Sequence, residues 1–221
     1  MRIAVFGATG MAGSAIVAES ASRGHHVLAL SRHPRPDEAR GTRITQMAAD
    51  VGDPAALDPA LSEVDAAVLA VRLAPGDEHR LAALTRGLLD AAERRDAPVL
   101  VIGGSAPLRS PSDPGTLLID DPEHVPEAWR RIARASLEQY RACAAHPYRG
   151  WVYLSPPAML ERGEQSGGYR RGTTTLLVDE HGRSRIAAAD LALAVLDELE
   201  HPGRDRHFTV VQAAATNRSE R

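Results

Sequence analysis

The chain contains no lysine: all 26 of its Lys and Arg positions are arginine. That absence removes two chemistries. A phosphate-gripping P-loop needs a lysine beside its Ser/Thr, and a Tyr-x-x-x-Lys acid pair is impossible, since Tyr140 is followed four residues later by Ala144. Cysteine is nearly as scarce. Cys143 stands alone, so no internal disulfide forms, and its Ala-rich helical setting points to a passive thiol. No apolar run approaches the roughly 20 residues of a membrane span. Positive charge is not in surplus either: the net charge is −3 over 221 residues, which argues against general nucleic-acid affinity. The nine histidines include no His-x-His or His-x-x-x-His pair. His25 and His26 are adjacent and would point to opposite faces of a strand, so a metal site is not expected.

The material present is that of a globular domain, 43% hydrophobic and 25% charged. The chain opens as a strand at Arg2 rather than as a signal peptide. With a single cysteine, a cytoplasmic home is expected.

The most informative stretch is Arg2-Ile3-Ala4-Val5-Phe6 followed by Gly7-Ala8-Thr9-Gly10-Met11-Ala12-Gly13. An apolar strand runs into three evenly spaced glycines, and an apolar helix follows to about Ala21. Glycine lets the turn bend sharply and lets backbone lie against a ligand. The helix start offers free N–H groups and the positive end of its dipole, where a pyrophosphate fits. The turn, from Gly7 and Ala8 through Thr9, Gly10 and Met11, is therefore assigned to a dinucleotide.

Strand and helix patterns then alternate. His26–Leu30 reads as strand two, ending at Ser31-Arg32-His33-Pro34-Arg35. A fold selective for NAD places an acidic residue here for the ribose 2′-OH. Ser31, Arg32 and Arg35 instead suit the 2′-phosphate of NADP, because guanidinium presents a planar fork to phosphate; the other reading is a solvated basic loop. Arg43–Ala48 reads as strand three, leading to Asp50 and Val51. There Asp50 either accepts from the adenine amino group or shapes the turn before Pro54, and Val51 packs on the ring. A short helix spans about Pro54–Leu61. Val64–Val71 is a fourth, almost uninterruptedly apolar strand, as expected of a central parallel strand. Its end, Ala70-Val71-Arg72, is expected beside the nicotinamide ribose.

A helix is expected over Glu78–Arg95, then strand five over Pro98–Ile102, then Gly103-Gly104-Ser105. Ser105 falls at the carboxyl end of a central strand, where ligands bind. It has no Gly-x-Ser-x-Gly elbow around it; it is read as a hydrogen-bonding residue for substrate or nicotinamide, and otherwise as a turn residue. The segment 106–126 carries five prolines and is either a lid or a surface excursion. Its acidic run, Asp120-Asp121-Glu123, is expected to cap the next helix, Glu127–His146. Gly150–Leu154 is strand six, and Ser155 and Pro156 after it are assigned to the cofactor. Gly163–Gly172 reads as a glycine-rich loop, Thr173–Val178 as a strand, and 179–182 as a turn. A helix follows near Ala188–Glu200, with Asp190 in its first turn and Asp197, Glu198 and Glu200 on a solvated face. His207–Val211 is the last strand, and 213–221 an unstructured tail. The whole describes one α/β domain, a doubly wound parallel sheet of Rossmann type with helices on both faces, and substrate-side loops at 106–126 and 157–180.

The glycine turn resembles the fingerprint of atypical and extended short-chain dehydrogenases. Ser155-Pro156-Pro157, Gly167-Gly168-Tyr169-Arg170, Gly182-Arg183-Ser184-Arg185-Ile186, Asp190-Leu191-Ala192 and Asp197-Glu198-Leu199 narrow this. They are similar to the NAD(P)H-binding group that includes candidate NADH–flavin reductases and biliverdin reductase B-like enzymes. The resemblance implies a one-domain reductase without a Tyr/Lys pair, its nicotinamide facing an open pocket where a flat conjugated acceptor stacks. Ser105 matches the serine such reductases carry after strand five. Ala158 follows Pro157 where biliverdin-reducing members often have histidine, which speaks against biliverdin, and Ala187 replaces a usual capping serine.

The expected function is NADPH-dependent hydride transfer to a small flavin- or quinone-like acceptor by a monomer or homodimer, with neither nucleic acid nor membrane as partner. The alternative is a non-catalytic NADP(H) sensor. Sugar-nucleotide epimerase or dehydratase chemistry is disfavoured by the missing Tyr/Lys pair and the short C-terminal region.

Overall fold

The computed structural model describes residues 1–34, 43–179 and 181–213. Arg35, Glu180 of the expected turn, and the tail from 214 lie outside the described residues.

In chain order the elements are β1 (Arg2–Phe6), α1 (Met11–Ser22), β2 (His26–Ser31), β3 (Ile44–Ala48), α2 (Pro54–Leu61), β4 (Ala66–Leu69) and α3 (Leu81–Arg95). Then come β5 (Val99–Ile102), α4 (Arg130–Ala145), β6 (Trp151–Ser155), β7 (Met159–Glu161), β8 (Tyr169–Gly172), β9 (Arg185–Ala187), α5 (Ala188–Glu200) and β10 (His207–Gln212). Single 3-10 turns, Glu78–Arg80 and Glu127–Trp129, lead into α3 and α4.

Eight strands form one sheet in the order β3-β2-β1-β4-β5-β6-β10-β8. The pairings from β3 to β10 are parallel, and β8 closes the edge antiparallel to β10. The doubly wound Rossmann-type α/β fold is thus present. The order reverses between β1 and β4, so the strand ends part there and open a crevice at the carboxyl edge.

Alternation along each strand feeds two cores, because successive side chains point to opposite faces. Ala4, Phe6, Ala67, Leu69, Val99, Val101, Trp151 and Tyr153 pack with α2, α3 and Cys143 of α4. Ile3, Val5, Val68, Leu100, Leu154, Phe208 and Val210 pack with Ile16 of α1 and with Leu191, Val195 and Leu196 of α5. A third, smaller cluster of Leu108, Leu118, Val125 and Leu176 fills the long connection after β5.

Several expectations are corrected. The segment Thr173–Val178 is not a strand; Leu176 is instead buried in the third cluster, and the edge strand is Tyr169–Gly172, inside the expected glycine-rich loop. A small parallel pair, β7 with β9, was not anticipated. The acidic run before α4 caps no helix. Asp121 accepts from Ser110 Oγ (2.6 Å), the Glu123 amide and His124, tying the loop to itself, and α4 starts at Arg130 without a side-chain cap.

The end of α5 is not a solvated face either. Arg23 of α1 pairs with Glu19, Asp197 and Glu200, and His25 meets Glu200, each at 2.7 Å. Those carboxylates raise the Arg23 pKa although burial opposes it. Glu198 is buried and paired with Arg171, whose guanidinium lies 3.9 Å from the Phe208 ring centre.

Candidate functional site

The glycine turn joins β1 to α1 and is held from both sides. The amides of Gly7 and Ala8 both donate to the Leu30 carbonyl of β2, at 2.9 and 3.0 Å, while the Ala70 amide after β4 donates to Phe6 O at 2.9 Å. Gly7 sits at φ +85°, and a Cβ there would lie 2.5 Å from Ala70 O. A Cβ on Gly13 would lie 2.1 Å from Gly7 O. Only glycine therefore lets α1 begin directly on the turn.

The helix start itself is bare. Its N-cap is Gly10, with no side-chain cap and no acidic residue in the first turn. By contrast, Asp53 caps α2 and Asp190 occupies the first turn of α5. The end of α1 thus keeps its positive dipole and leading N–H groups unmatched by any side chain. A turn whose close backbone packing admits no Cβ at Gly7 or Gly13, leading into an uncapped helix, fits a dinucleotide pyrophosphate. Thr9 and Met11 are half-buried and Gly10 is exposed. Ala8 is buried and its amide is already spent on Leu30, so it shapes the turn.

To one side, β2 ends at Ser31. Its side chain is buried and its carbonyl accepts from Ala49. Arg32 is exposed and makes no ion pair among the described residues. Asp50 Oδ1 accepts from the Gly52 amide at 2.8 Å, and Asp50 O accepts from Asp53. The carboxylate therefore performs the turn-shaping role, with its other oxygen unengaged among the described residues. Val51 is buried in the core beneath. To the other side, Ala70 and Val71 are half-buried and Arg72 is exposed.

Next along the edge is the end of β5. A Cβ on Gly103 would fall 1.8 Å from the Tyr153 hydroxyl oxygen, and one on Gly104 would fall 2.8 Å from Ser136 Oγ. The paired glycines are there because β6 and α4 press on them. Ser105 is half-buried and its carbonyl accepts from Leu108.

Ser155, expected at the cofactor, is wholly buried. Its hydroxyl donates to Gly104 O at 2.9 Å, and Nε2 of His207 lies 2.9 Å from the same oxygen. A hydroxyl has one proton. With that proton on the carbonyl, Nε2 must carry the hydrogen toward Ser155. The result is a directed chain from His207 through Ser155 to Gly104. His207 is boxed in by Tyr140 and Tyr153, ring centres 4.6 and 5.5 Å away. Burial lowers its pKa to about 4, so the ring is neutral. Pro156 is buried beside Ser155.

Sequence reasoning missed His207. It stands 52 residues from Ser155 at the head of an apolar strand, and no local spacing marks it. It also missed the target of Asp190, whose carboxylate accepts from Ser166 N, Ser166 Oγ and Gly167 N. The connection 106–126 is a packed wall: Leu108 and Leu118 are fully buried, and Arg109 is laddered to Thr174 and Leu176. Cys143 is buried and its thiol pKa is pushed up to about 12 by desolvation, so it is inert. Among the described residues, Asp121, Glu123 and His124 bring ligand-type atoms within 4.8 Å. Asp121 already holds Ser110 and His124.

A glycine turn of this build, placed where the strand order reverses, defines a dinucleotide-binding α/β protein. Comparison with known proteins makes this more specific: the chain belongs to the NAD(P)H-binding family, whose model matches residues 7–202. It is 34% identical over 217 residues to YwnB, an uncharacterized Bacillus subtilis protein, covering 97% of this chain and all of that one. Among solved structures it is similar to a candidate exported protein of Burkholderia pseudomallei (36% identity, TM-score 0.83, 96% of this chain and 100% of that one). A candidate NADH–flavin reductase of Streptococcus pneumoniae matches at 25% identity and TM-score 0.86, with the same coverage. A candidate epimerase of Bacteroides thetaiotaomicron matches at 30% and 0.84, over 97% and 98%. Among the described residues, no helix is long and apolar enough to cross a membrane.

Proposed function

We propose that the chain is a reductase that uses NADPH to deliver hydride to a small conjugated acceptor, a flavin or quinone. The carrying observation is the furnishing of the sheet's carboxyl edge: a glycine turn suited to a dinucleotide ends β1, Ser105 follows β5 two strands along, and no tyrosine–lysine acid accompanies them. Tyr140, the α4 tyrosine, is packed edge-on against Tyr153 and against His207, and the chain has no lysine. An acceptor that takes hydride into a conjugated ring and draws its proton from water needs no such acid. Reduction then rests on holding donor and acceptor in register.

When bound, the reduced nicotinamide supplies the hydride. The chain supplies the rest. The first turn of α1 holds the pyrophosphate together with the Thr9 and Met11 amides, which have no acceptor among the described residues, while Gly7, Ala8 and Gly10 shape the turn. Arg32, exposed and without an ion pair among the described residues, binds the 2′-phosphate and favours NADP over NAD. Asp50 and Val51 flank the adenine. Ala70, Val71 and Arg72 border the nicotinamide ribose, and Ser105 orients the reacting end. The name of the Streptococcus pneumoniae relative supports the same choice of acceptor.

The test is NADPH oxidation followed at the nicotinamide absorbance with riboflavin, FMN and menadione as acceptors, alongside calorimetric binding of NADPH and NADH. Turnover with at least one acceptor, and tighter binding of NADPH, are expected. Binding without turnover across the whole acceptor set overturns the reductase reading and leaves a nucleotide sensor.

A further inference from the structure

The buried chain from His207 through Ser155 to Gly104 has a consequence at the crevice. A trans peptide is planar, with its C=O and N–H pointing in opposite directions. The Gly104 carbonyl is drawn inward to the Ser155 hydroxyl (2.9 Å). The N–H of the same peptide belongs to Ser105, so it is turned the other way, and no described residue accepts from it. The Ser105 hydroxyl likewise has no partner among the described residues. Two donors of one residue are thus left free at the carboxyl end of β5.

Their place along the edge says which part of the dinucleotide they meet. The pyrophosphate cradle is at the end of β1. The residues assigned to adenosine follow β2 and β3 on one side; β4 and then β5 lie on the other. Ser105 therefore stands toward the nicotinamide half.

We propose that Ser155 and His207 are a positioning pair, which fixes the Gly104–Ser105 peptide so that the Ser105 amide and hydroxyl grip the nicotinamide end of the cofactor. Neither residue touches the ligand. His207 donates to Ser155 Oγ and leaves that hydroxyl's proton for Gly104; Tyr140 and Tyr153 keep the imidazole in place. The proposal rests on the NAD(P)H-binding site described above and not on the identity of the acceptor.

The experiment compares two ligands by calorimetry: NADPH, and 2′-phospho-ADP-ribose, which keeps the adenosine and pyrophosphate but lacks nicotinamide. Ser155→Ala and His207→Leu are expected to weaken NADPH about tenfold, the loss of one well-placed hydrogen bond, while the fragment binds as to the wild type. His207→Gln, which retains a donor toward Ser155, is expected to restore most of the NADPH affinity. Thermal unfolding identifies any variant that does not fold. If His207→Leu fails, the smaller Ser155→Ala change decides. Unchanged NADPH affinity in Ser155→Ala, or equal weakening of both ligands, overturns the proposal. A wild type that binds NADPH and reduces no acceptor overturns the reductase reading alone, since the two-ligand comparison does not use turnover.

Discussion

His207 makes the stability of this protein depend on pH over a window where most of its carboxylates are already ionised. In the unfolded chain the imidazole titrates near its ordinary value of 6.5; in the fold burial lowers this to about 4. The groups packed against it are Tyr140, Tyr153 and Ser155, so among the described residues no carboxylate compensates for its desolvation. The sign follows directly. Between pH 6.5 and 4 the unfolded state binds a proton that the folded state refuses, so stability is fully present above 6.5 and is lost as pH falls. Linkage between those two values amounts to about 3 kcal/mol in all, of which about 2 kcal/mol is lost between pH 7 and pH 5. The assay is urea unfolding at a series of pH values for the wild type and for His207→Gln. The variant does not titrate at that position, and the contributions of the other histidines cancel in the difference between the two proteins. The variant is expected to lose about 2 kcal/mol less than the wild type between pH 7 and pH 5. Parallel stability–pH curves would refute the reasoning, for they would mean that the imidazole is charged in the fold or reached by solvent.

Three further outcomes are expected. Gly13→Ala places a methyl 2.1 Å from the Gly7 carbonyl, backbone against backbone, so α1 must lift off the turn; NADPH affinity should fall at least about tenfold with about 1–3 kcal/mol lost in stability, read by calorimetry and thermal unfolding. Arg32→Ala should weaken NADPH about tenfold and leave NADH unchanged, and equal losses for both would remove the 2′-phosphate role. The Thr209 hydroxyl is buried and has no hydrogen-bond partner among the described residues, so the isosteric Thr209→Val should hold or raise stability by up to about 1 kcal/mol in urea titrations.

What was legible in the chain was local. The cradle could be read because strand, glycines and helix follow one another within a dozen residues, and each glycine has a nearby steric reason. Helices α2 and α5 lie where their patterns place them, and the structure adds the Asp53 side chain as the cap of α2. The edge strand β8 was not legible, since Tyr-Arg-Arg-Gly has neither apolar alternation nor β-branching, and its pairing is supplied by β10. Thr173–Val178 carries the residue types of a strand, yet Leu176 is drawn into the small core behind the 106–126 wall, which no local pattern reports. The same limit applies at the site. Ser105 could be placed from its strand, whereas the use of Ser155 depends on a histidine in a distant strand. Likewise, the acid groups closing α5 looked solvent-facing because their arginine partners lie elsewhere in the chain.

The clasp between α1 and α5 bears on the order in which the molecule is made. Arg23 and Asp197 are 174 positions apart, and the apolar flank of α1 is covered by α5. A chain emerging from the ribosome makes the glycine turn and α1 well before α5 is available to cover them. Contacts of such long range slow folding and leave apolar surface waiting for its cover.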